Sequence, residues 1–133
     1  MTAHKTILVV EDESELREIL SVGLSQAGFK VIPASGAQEA LALAISTTPA
    51  LVLSDIRMPG GSGLDLLAAL RARHATSPPV VLMTGYADVT QAEALTRGAT
   101  SLLQKPFKMQ ALIELVESIL STGSPEKSRS RAA

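Results

Sequence analysis

Five short apolar runs, separated by stretches of helical periodicity, limit most strongly how this chain can fold. The runs are rich in Val, Ile and Leu, which is typical of strands buried on both faces of a parallel sheet. They cover residues 6–10, 29–33, 50–54, 80–84 and 101–104. After each run, apolar residues recur at helical spacing, which predicts five helices. Such alternation predicts right-handed crossovers, with helices on both faces of the sheet.

This order of elements predicts an α/β fold of the flavodoxin-like doubly wound (βα)5 type, with a five-stranded parallel sheet in the order 2-1-3-4-5. The chain has 133 residues, 46% of them hydrophobic, which suits one compact domain. We assign residues 1–120 to this domain. Residues 121–133 are rich in Ser, Arg and Lys without periodicity, so we expect a disordered tail. The sequence leaves open whether the domain acts alone or belongs to a longer protein.

Two predicted helices begin with capping-box patterns. Ser35 with Gln38 precedes the second helix, and Ser62 with Asp65 precedes the third. The fourth helix, at about 88–96, has the weakest apolar pattern of the five. The fifth is expected to cover 107–120.

The charge balance, the cysteine content and the length of the apolar runs exclude several classes of function. Twelve basic and thirteen acidic residues give a net charge of −1, which provides no global field for nucleic acid or an anionic membrane. The absence of cysteine excludes disulfides and thiolate metal sites. No apolar run approaches the roughly 20 residues that cross a bilayer. We therefore expect a cytoplasmic protein without direct nucleic-acid or membrane binding.

Reactive side chains lie at, or directly after, the carboxyl ends of four of the predicted strands. They are Glu11, Asp12, Asp55, Thr84 and Lys105. Because the carboxyl ends of parallel strands meet at one edge of a sheet, we expect these side chains to lie together. Three neighbouring carboxylates repel one another, and their oxygens suit a hard cation. The sequence therefore predicts a Mg²⁺ site at this edge.

The same side chains suit phosphoryl transfer. Mg²⁺ usually keeps coordination positions that a phosphoryl oxygen can occupy. A carboxylate can be the nucleophile, while metal and ammonium groups stabilise the charge on the equatorial oxygens. Asp55, Thr84 and Lys105 provide these groups.

Over about residues 5–120, these motifs resemble the response regulator receiver family of two-component systems. The matching segments are Glu11-Asp12, the loop 55–60, Thr84-Gly85 and the segment 105–107. The resemblance implies that Asp55 is the phosphoacceptor and that Thr84 and Lys105 bind phosphoryl oxygens. It implies Mg²⁺ binding by the side chains of Asp12 and Asp55, by the backbone carbonyl of Arg57 and, through water, by Glu11. It also implies a cis peptide bond between Lys105 and Pro106.

The resemblance further implies a partner and a limited chemistry. The phosphoryl donor would be a sensor histidine kinase or a phosphotransfer protein. The domain would catalyse only its own Mg²⁺-dependent phosphorylation and autodephosphorylation, and so would not be an enzyme in the ordinary sense. A downstream protein effector, which the sequence does not identify, is a further expected partner. A second copy of this chain, in a homodimer that forms on phosphorylation, is another.

The implied switch departs from the family at one position. Many receivers have Tyr or Phe three residues before the lysine, where this chain has Leu102. Tyr86, two residues after Thr84, is the only tyrosine and is a candidate to replace that aromatic residue. We expect Thr84 and Tyr86, rather than residue 102, to link phosphorylation to the face formed by the fourth helix, fifth strand and fifth helix, because Leu102 has no polar group and can only repack.

Each site residue has an ordinary structural explanation when it is considered alone. Acidic residues after a strand cap helices or begin turns, and Lys105 before a proline can be a surface residue at a helix start. Their coincidence at four strand ends favours a site.

A phosphatase with an aspartyl-phosphate intermediate is a rival function. The nucleophile of such enzymes lies in an Asp-x-Asp motif, whereas this chain has Arg57 two residues after Asp55. A pseudo-receiver would lack an acidic or lysine position, and none is missing.

Overall fold

A computed structural model describes residues 5–85 and 89–121 of the chain. Strands and helices alternate along it. The strands are β1 (Thr6–Val10), β2 (Lys30–Ala34), β3 (Leu51–Asp55), β4 (Val80–Thr84) and β5 (Ser101–Gln104). The helices are α1 (Ser14–Gln26), α2 (Ala37–Thr47), α3 (Gly63–Arg73), α4 (Gln91–Thr96) and α5 (Met109–Ser121). None of the helices in these two ranges is long and apolar enough to cross a membrane.

The five strands form one parallel sheet in the order β2-β1-β3-β4-β5. The predicted α/β doubly wound fold and strand order are therefore confirmed. The register pairs Val10 with Ser54 and Asp55 with Met83, so the carboxyl ends of the central strands lie side by side. Residues that follow these strands are consequently brought to one edge.

Two apolar clusters cover the two faces of the sheet. Alternate residues of β1, β3 and β4 point into each cluster, as the period of two in a strand requires. On one face, Leu66, Leu67 and Leu70 of α3 pack over the sheet, together with small residues of α2. On the other face, α1 and α5 pack over it. The central strands are thus buried on both faces, as their continuous apolar runs predict.

Three of the five strand predictions match the structure, and the other two are displaced by one residue. The runs 6–10, 80–84 and 101–104 are β1, β4 and β5. β2 and β3 each begin and end one residue later than predicted. In β3 this happens because Asp55 still pairs with the neighbouring strand. The candidate nucleophile therefore lies within the strand, at its last position.

The predicted start of α2 is wrong. The residue before the helix is Gly36, which provides no side-chain cap, so Ser35 and Gln38 form no capping box. The backbone N–H and hydroxyl of Ser35 both donate to Glu39 Oε1, each at 2.9 Å. The partner is one residue further along than predicted because the helix begins only at Ala37. The capping box of Ser62 and Asp65 on α3 is confirmed.

The last two helices have different bounds from those predicted. α4 begins at Gln91 because Thr90 and Glu93 form a capping box there, a pattern that the sequence interpretation missed. Residues 86–88, which include the predicted start of this helix, lie outside the described ranges. α5 begins at Met109 rather than at 107, and it includes Ser121. The rest of the predicted tail, 122–133, also lies outside them.

Candidate functional site

A cavity of about 540 Å³ opens at the carboxyl edge of the sheet. Its lining includes five of the residues that the sequence places at a site, and these five come from three separate segments of the chain. The lining residues are Glu11, Asp12, Glu13, Asp55, Arg57, Gly85 and Lys105. The topology therefore gathers these predicted side chains around one space.

Lys105 joins two of the carboxylates. Its Nζ lies 3.3 Å from Glu11 Oε1 and 3.2 Å from Asp55 Oδ2. Glu11 is only 1% exposed and Asp55 only 8%, so both carboxylates need compensation for lost hydration. Lys105 directly follows β5, and its peptide bond to Pro106 is cis, as the resemblance implies. A single ammonium group thus holds the first and third strand ends together.

Backbone N–H groups bind the remaining oxygens of the same two carboxylates. The N–H of Glu13 donates to Glu11 Oε2 at 3.2 Å, and the N–H of Ile56 donates to Asp55 Oδ1 at 3.0 Å. Each carboxylate is therefore held through both of its oxygens, which fixes its orientation without a bound ligand.

Burial and charge shift the pKa values of Glu11 and Lys105. Burial raises the pKa of Glu11, and the nearby Asp55 charge adds to this effect, while the Glu13 N–H and Lys105 oppose it. Burial lowers the pKa of Lys105, but Asp55 and Glu11 outweigh it, so the pKa of Lys105 is raised overall. The ammonium group of Lys105 is therefore held in its charged form, beside the three carboxyl groups of Glu11, Asp12 and Asp55.

The carboxylates are close enough to share a metal ion. One oxygen from each of Glu11, Asp12 and Asp55 lies within 4.8 Å of the others. Oxygen donors in such a cluster fit a hard divalent cation such as Mg²⁺, and Asp12 presents its carboxylate to solvent. The donor set and the grouping of three carboxyl groups beside one ammonium group both fit a Mg²⁺ site here.

The predicted switch residues lie in different environments. Thr84 is the last residue of β4 and 1% exposed; its carbonyl accepts the N–H of Lys105 at 2.8 Å. Gly85, directly after it, lines the cavity. Leu102 lies on β5, partly buried against the cluster that includes α3. Tyr86 lies outside the described residues, so its role stays a prediction from the sequence.

Two residues that the sequence interpretation missed shape the loop after Asp55. A Cβ at Gly63 would collide with the carbonyl oxygen of Asp55, so only glycine lets α3 begin this close to β3. The buried hydroxyl of Ser54 donates to the same carbonyl at 2.9 Å. The glycine-rich segment 60–63 indicated a turn at Gly63, whereas a serine inside an apolar strand gave no indication of the contact that Ser54 makes.

The chain also matches a family model. The model describes the response regulator receiver domain, and it matches residues 7–117. This chain belongs to the response regulator receiver domain family. It is accordingly a receiver domain of the two-component type.

Proteins similar to this receiver domain include longer transcriptional regulators. The regulatory protein AtoC of Escherichia coli is 41% identical over 128 residues, which are 96% of this chain and 28% of AtoC. The DNA-binding transcriptional regulator NtrC of Salmonella typhimurium is 40% identical over 116 residues, 86% of this chain and 24% of NtrC. The chain therefore spans about a quarter of the length of these curated relatives.

Solved receiver domains have the same fold. The receiver domain of NtrX from Brucella abortus is 37% identical, with a TM-score of 0.80; the match covers 87% of this chain and 98% of that one. A receiver domain of a Francisella response regulator has a TM-score of 0.84 at 25% identity, with coverage of 91% and 100%. The resemblance noted from the strand-end motifs is thus confirmed at the level of family and fold.

Proposed function

We propose that this receiver domain accepts a phosphoryl group on Asp55 from the phosphohistidine of a sensor histidine kinase or a phosphotransfer protein. The observation that carries this proposal is the contact of Asp55 with Lys105 inside an acidic cavity. A carboxylate oxygen of Asp55 attacks phosphorus, the P–O bond forms and the P–N bond to the imidazole breaks. The ammonium of Lys105 then stabilises the negative charge on the transferred group.

Mg²⁺ is the proposed cofactor of this transfer. The side chains of Asp12 and Asp55 and the backbone carbonyl of Arg57 would hold it, with Glu11 contributing through water. When bound, Mg²⁺ would supply positive charge that offsets the carboxylates and would thereby lower the repulsion between Asp55 and an incoming phosphate. The oxygens of the three carboxylates within 4.8 Å of one another support this assignment.

The chemistry proposed for the domain ends at its own phosphorylation and dephosphorylation. A hydrolytic phosphatase needs an acid to protonate its leaving group, and Arg57 occupies the position two residues after the nucleophile. Arg57 lines the cavity but cannot give up a proton at ordinary pH. We therefore expect poor turnover of small phosphate esters, which a phosphatase assay tests directly.

The kinase is proposed to dock beside Lys105. An apolar cavity of about 250 Å³ lies between α1 and the segment after β5, and Lys105 belongs to the lining of both cavities. Ile19 of α1, which is 59% exposed, forms part of it. A donor must place its phosphohistidine at Asp55, so an apolar surface adjacent to the acidic cavity suits this partner.

Phosphorylation is proposed to act on the face formed by α4, β5 and α5. New phosphoryl oxygens attract the Thr84 hydroxyl, and such a local change spreads only through an element with two arrangements. The short helix α4, with Ala94 as its buried residue, suits that role. A shift from 1:99 to 99:1 needs about 5.5 kcal/mol, more than one hydrogen bond provides. We therefore expect a partial shift that an effector completes.

The acceptor is tested by incubation with acetyl phosphate and MgCl2, followed by intact-mass measurement. Wild type should gain one phosphoryl group, and Asp55→Asn should gain none because the nucleophile is removed at nearly constant volume. Asp65→Asn is the matched control, since Asp65 is an exposed aspartate in the cap of α3. EDTA should block the reaction in wild type. Labelling of Asp55→Asn at the wild-type rate would exclude this acceptor.

The switch is tested separately by backbone amide NMR with and without a phosphoryl mimic. Wild type should show shift changes that extend from the cavity into α4 and β5. Thr84→Ala should confine those changes to the cavity, because it lacks the hydroxyl that follows the phosphoryl group. Equally extensive changes in both proteins would refute the route through Thr84.

A further inference from the structure

Arg17 of α1 contacts the backbone of the acidic pair from outside the cavity lining. Its Nη1 donates a hydrogen bond of 2.7 Å to the carbonyl oxygen of Glu11. A guanidinium donor makes this bond charge-assisted, and such bonds are about twice as strong as neutral ones. The carbonyl belongs to the peptide that joins Glu11 to Asp12. The bond therefore restrains the peptide plane between two proposed metal-binding residues.

The same segment is restrained from its other side by the sheet. The N–H of Glu11 donates to the carbonyl oxygen of Ala34, at the end of β2, at 3.0 Å. The carboxylate of Glu11 has its own partners, whereas Asp12 is exposed. The direction of the Asp12 carboxylate thus depends mainly on the backbone that carries it. That backbone lies between a strand contact and the Arg17 contact.

We propose that Arg17 is a positioning residue for the divalent-cation site. It holds the Glu11–Asp12 peptide in the orientation that directs the Asp12 carboxylate into the acidic cavity, and it is not itself a metal ligand. This inference rests on the proposed function, because the cation site belongs to that proposal. Partners that orient metal ligands typically change metal affinity by about 10- to 100-fold when they are removed.

The charge of Arg17 alone has the opposite effect, which makes the sign of the result decisive. A cation near the cavity repels Mg²⁺, so removal of its charge without any loss of positioning should tighten Mg²⁺ binding. Removal of the hydrogen bond should weaken binding, because the Glu11–Asp12 peptide then samples orientations in which Asp12 points away. The proposal requires the second effect to exceed the first.

The test compares Mg²⁺ dissociation constants of wild type and Arg17→Met, measured by calorimetric titration with MgCl2 alone. Methionine keeps an unbranched stem and good helix propensity but has no donor. We expect the dissociation constant to rise about tenfold. An unchanged or lower constant in Arg17→Met would overturn the proposal. Such a constant would overturn the proposal even if Arg17→Met slowed transfer from a kinase, since Arg17 would then be a docking contact.

Glu39→Gln is the matched control. Glu39 has its pKa lowered chiefly by two bonds from Ser35 and, to a smaller extent, by the charge of Arg17. Glutamine removes that charge pairing and leaves the bond from Arg17 to Glu11 in place. Its Mg²⁺ affinity should equal that of wild type. A tenfold loss here would assign the effect to α2 and overturn the proposal.

A second measurement needs no variant and decides the matter if Arg17→Met does not fold. Coupling between two binding events is reciprocal, so Mg²⁺ must strengthen the bond that favours Mg²⁺ binding. Exchange of the Arg17 guanidinium protons in wild type, followed by NMR, should slow when MgCl2 is added. Equal exchange rates would overturn the inference. Failure of the proposed function is a different result: wild type that takes no phosphoryl group at Asp55.

Discussion

The centre and the margin of this sheet are built differently, although both contribute to one site. The centre, β1 and β3, is buried on both faces, and it carries Glu11 and Asp55 at its carboxyl edge. The margin, β5 and α4, is only partly buried; α4 has six residues, and Leu95 on it is 47% exposed. Lys105 follows the margin, yet its ammonium group binds both carboxylates of the centre.

This difference suits the proposed division between phosphoryl transfer at the centre and the response at the margin. A phosphoacceptor needs fixed geometry, which the densely packed centre provides, whereas a switch needs an element that changes arrangement at low cost. Lys105 is the link between them, because it directly follows β5 in the chain while its ammonium group contacts both carboxylates of the centre.

The largest effect is expected from Lys105→Met. Without the ammonium, Glu11 and Asp55 face each other uncompensated, and the free energy of unfolding in EDTA should fall by about 2 kcal/mol. Added Mg²⁺ should restore more stability to the variant than to wild type, since it replaces the missing positive charge. Urea unfolding with and without Mg²⁺ measures both values. Lys108→Met, an exposed lysine three residues on, is the control, and an equal loss there would contradict the link.

Glu11→Gln should reveal an opposing electrostatic cost within the centre. Because the pKa of Glu11 is raised in the folded state, its contribution to stability is fully present below its unfolded pKa of about 4.5 and is lost as pH rises through its folded pKa. Without Mg²⁺ at neutral pH, Glu11→Gln should therefore be more stable than wild type, by on the order of 1 kcal/mol. The advantage should shrink as pH falls through that window.

Urea unfolding at several pH values in EDTA measures this advantage. Glu18→Gln, which makes the same substitution at an exposed glutamate of α1, is the matched control. The pKa of Lys105 is raised as well, so its own contribution is constant in this window and is lost only above its usual range near 10.5. An advantage of Glu11→Gln that shrinks as pH rises would reverse the assigned sign.

The strands of the centre and of the margin could be predicted from the sequence more fully than the helix α4. Continuous apolar runs specify β1, β5 and, to within one residue, β3, and the rule that parallel strand ends meet at one edge places Glu11, Asp55 and Lys105 together. The ion pair of Lys105 with Glu11 joins residues 94 positions apart, and only the strand order makes it predictable. The capping pair Thr90 and Glu93 indicated the start of α4 in the sequence, but the weak apolar pattern predicted an earlier start, at about residue 88.

Contacts between side chains and backbone in the loops could not be predicted. The bonds from Ser54 to the Asp55 carbonyl and from Arg17 to the Glu11 carbonyl depend on the path of each turn, which has no periodic signal. The same is true of Ser35 and Glu39, where a helix start displaced by one residue changed the partner. Periodicity specifies elements, whereas the orientation of peptide planes between them requires the structure.

Amide hydrogen exchange should show a smaller and more direct difference between the regions. Amides of β1 and β3 should exchange only through global unfolding, because their strands are buried on both faces. Amides of α4 and β5 should exchange faster, through local opening. Phosphorylation should change the exchange of the second group and leave the first unaffected. Equal protection of all four elements in the unphosphorylated protein would remove the distinction between centre and margin.

The smallest effect compares two helix caps of the same design. α3 and α4 both begin with capping boxes, formed by Ser62 with Asp65 and by Thr90 with Glu93. Removal of either hydroxyl by substitution with alanine costs about 1 kcal/mol of helix stability. In α3, which buries three leucines, the loss should lower the free energy of global unfolding. In Thr90→Ala it should speed local exchange of α4 amides and leave global unfolding almost unchanged.

The two outcomes differ because a cap contributes to global stability only when its helix unfolds together with the core. α3 must do so, since its leucines pack directly on the sheet, whereas α4 buries a single alanine. Thr90→Ser keeps the oxygen acceptor and is the control for the loss of the methyl group. If Thr90→Ala lowered global stability as much as Ser62→Ala, α4 would unfold only with the core. It could not then serve as the low-cost element through which phosphorylation acts.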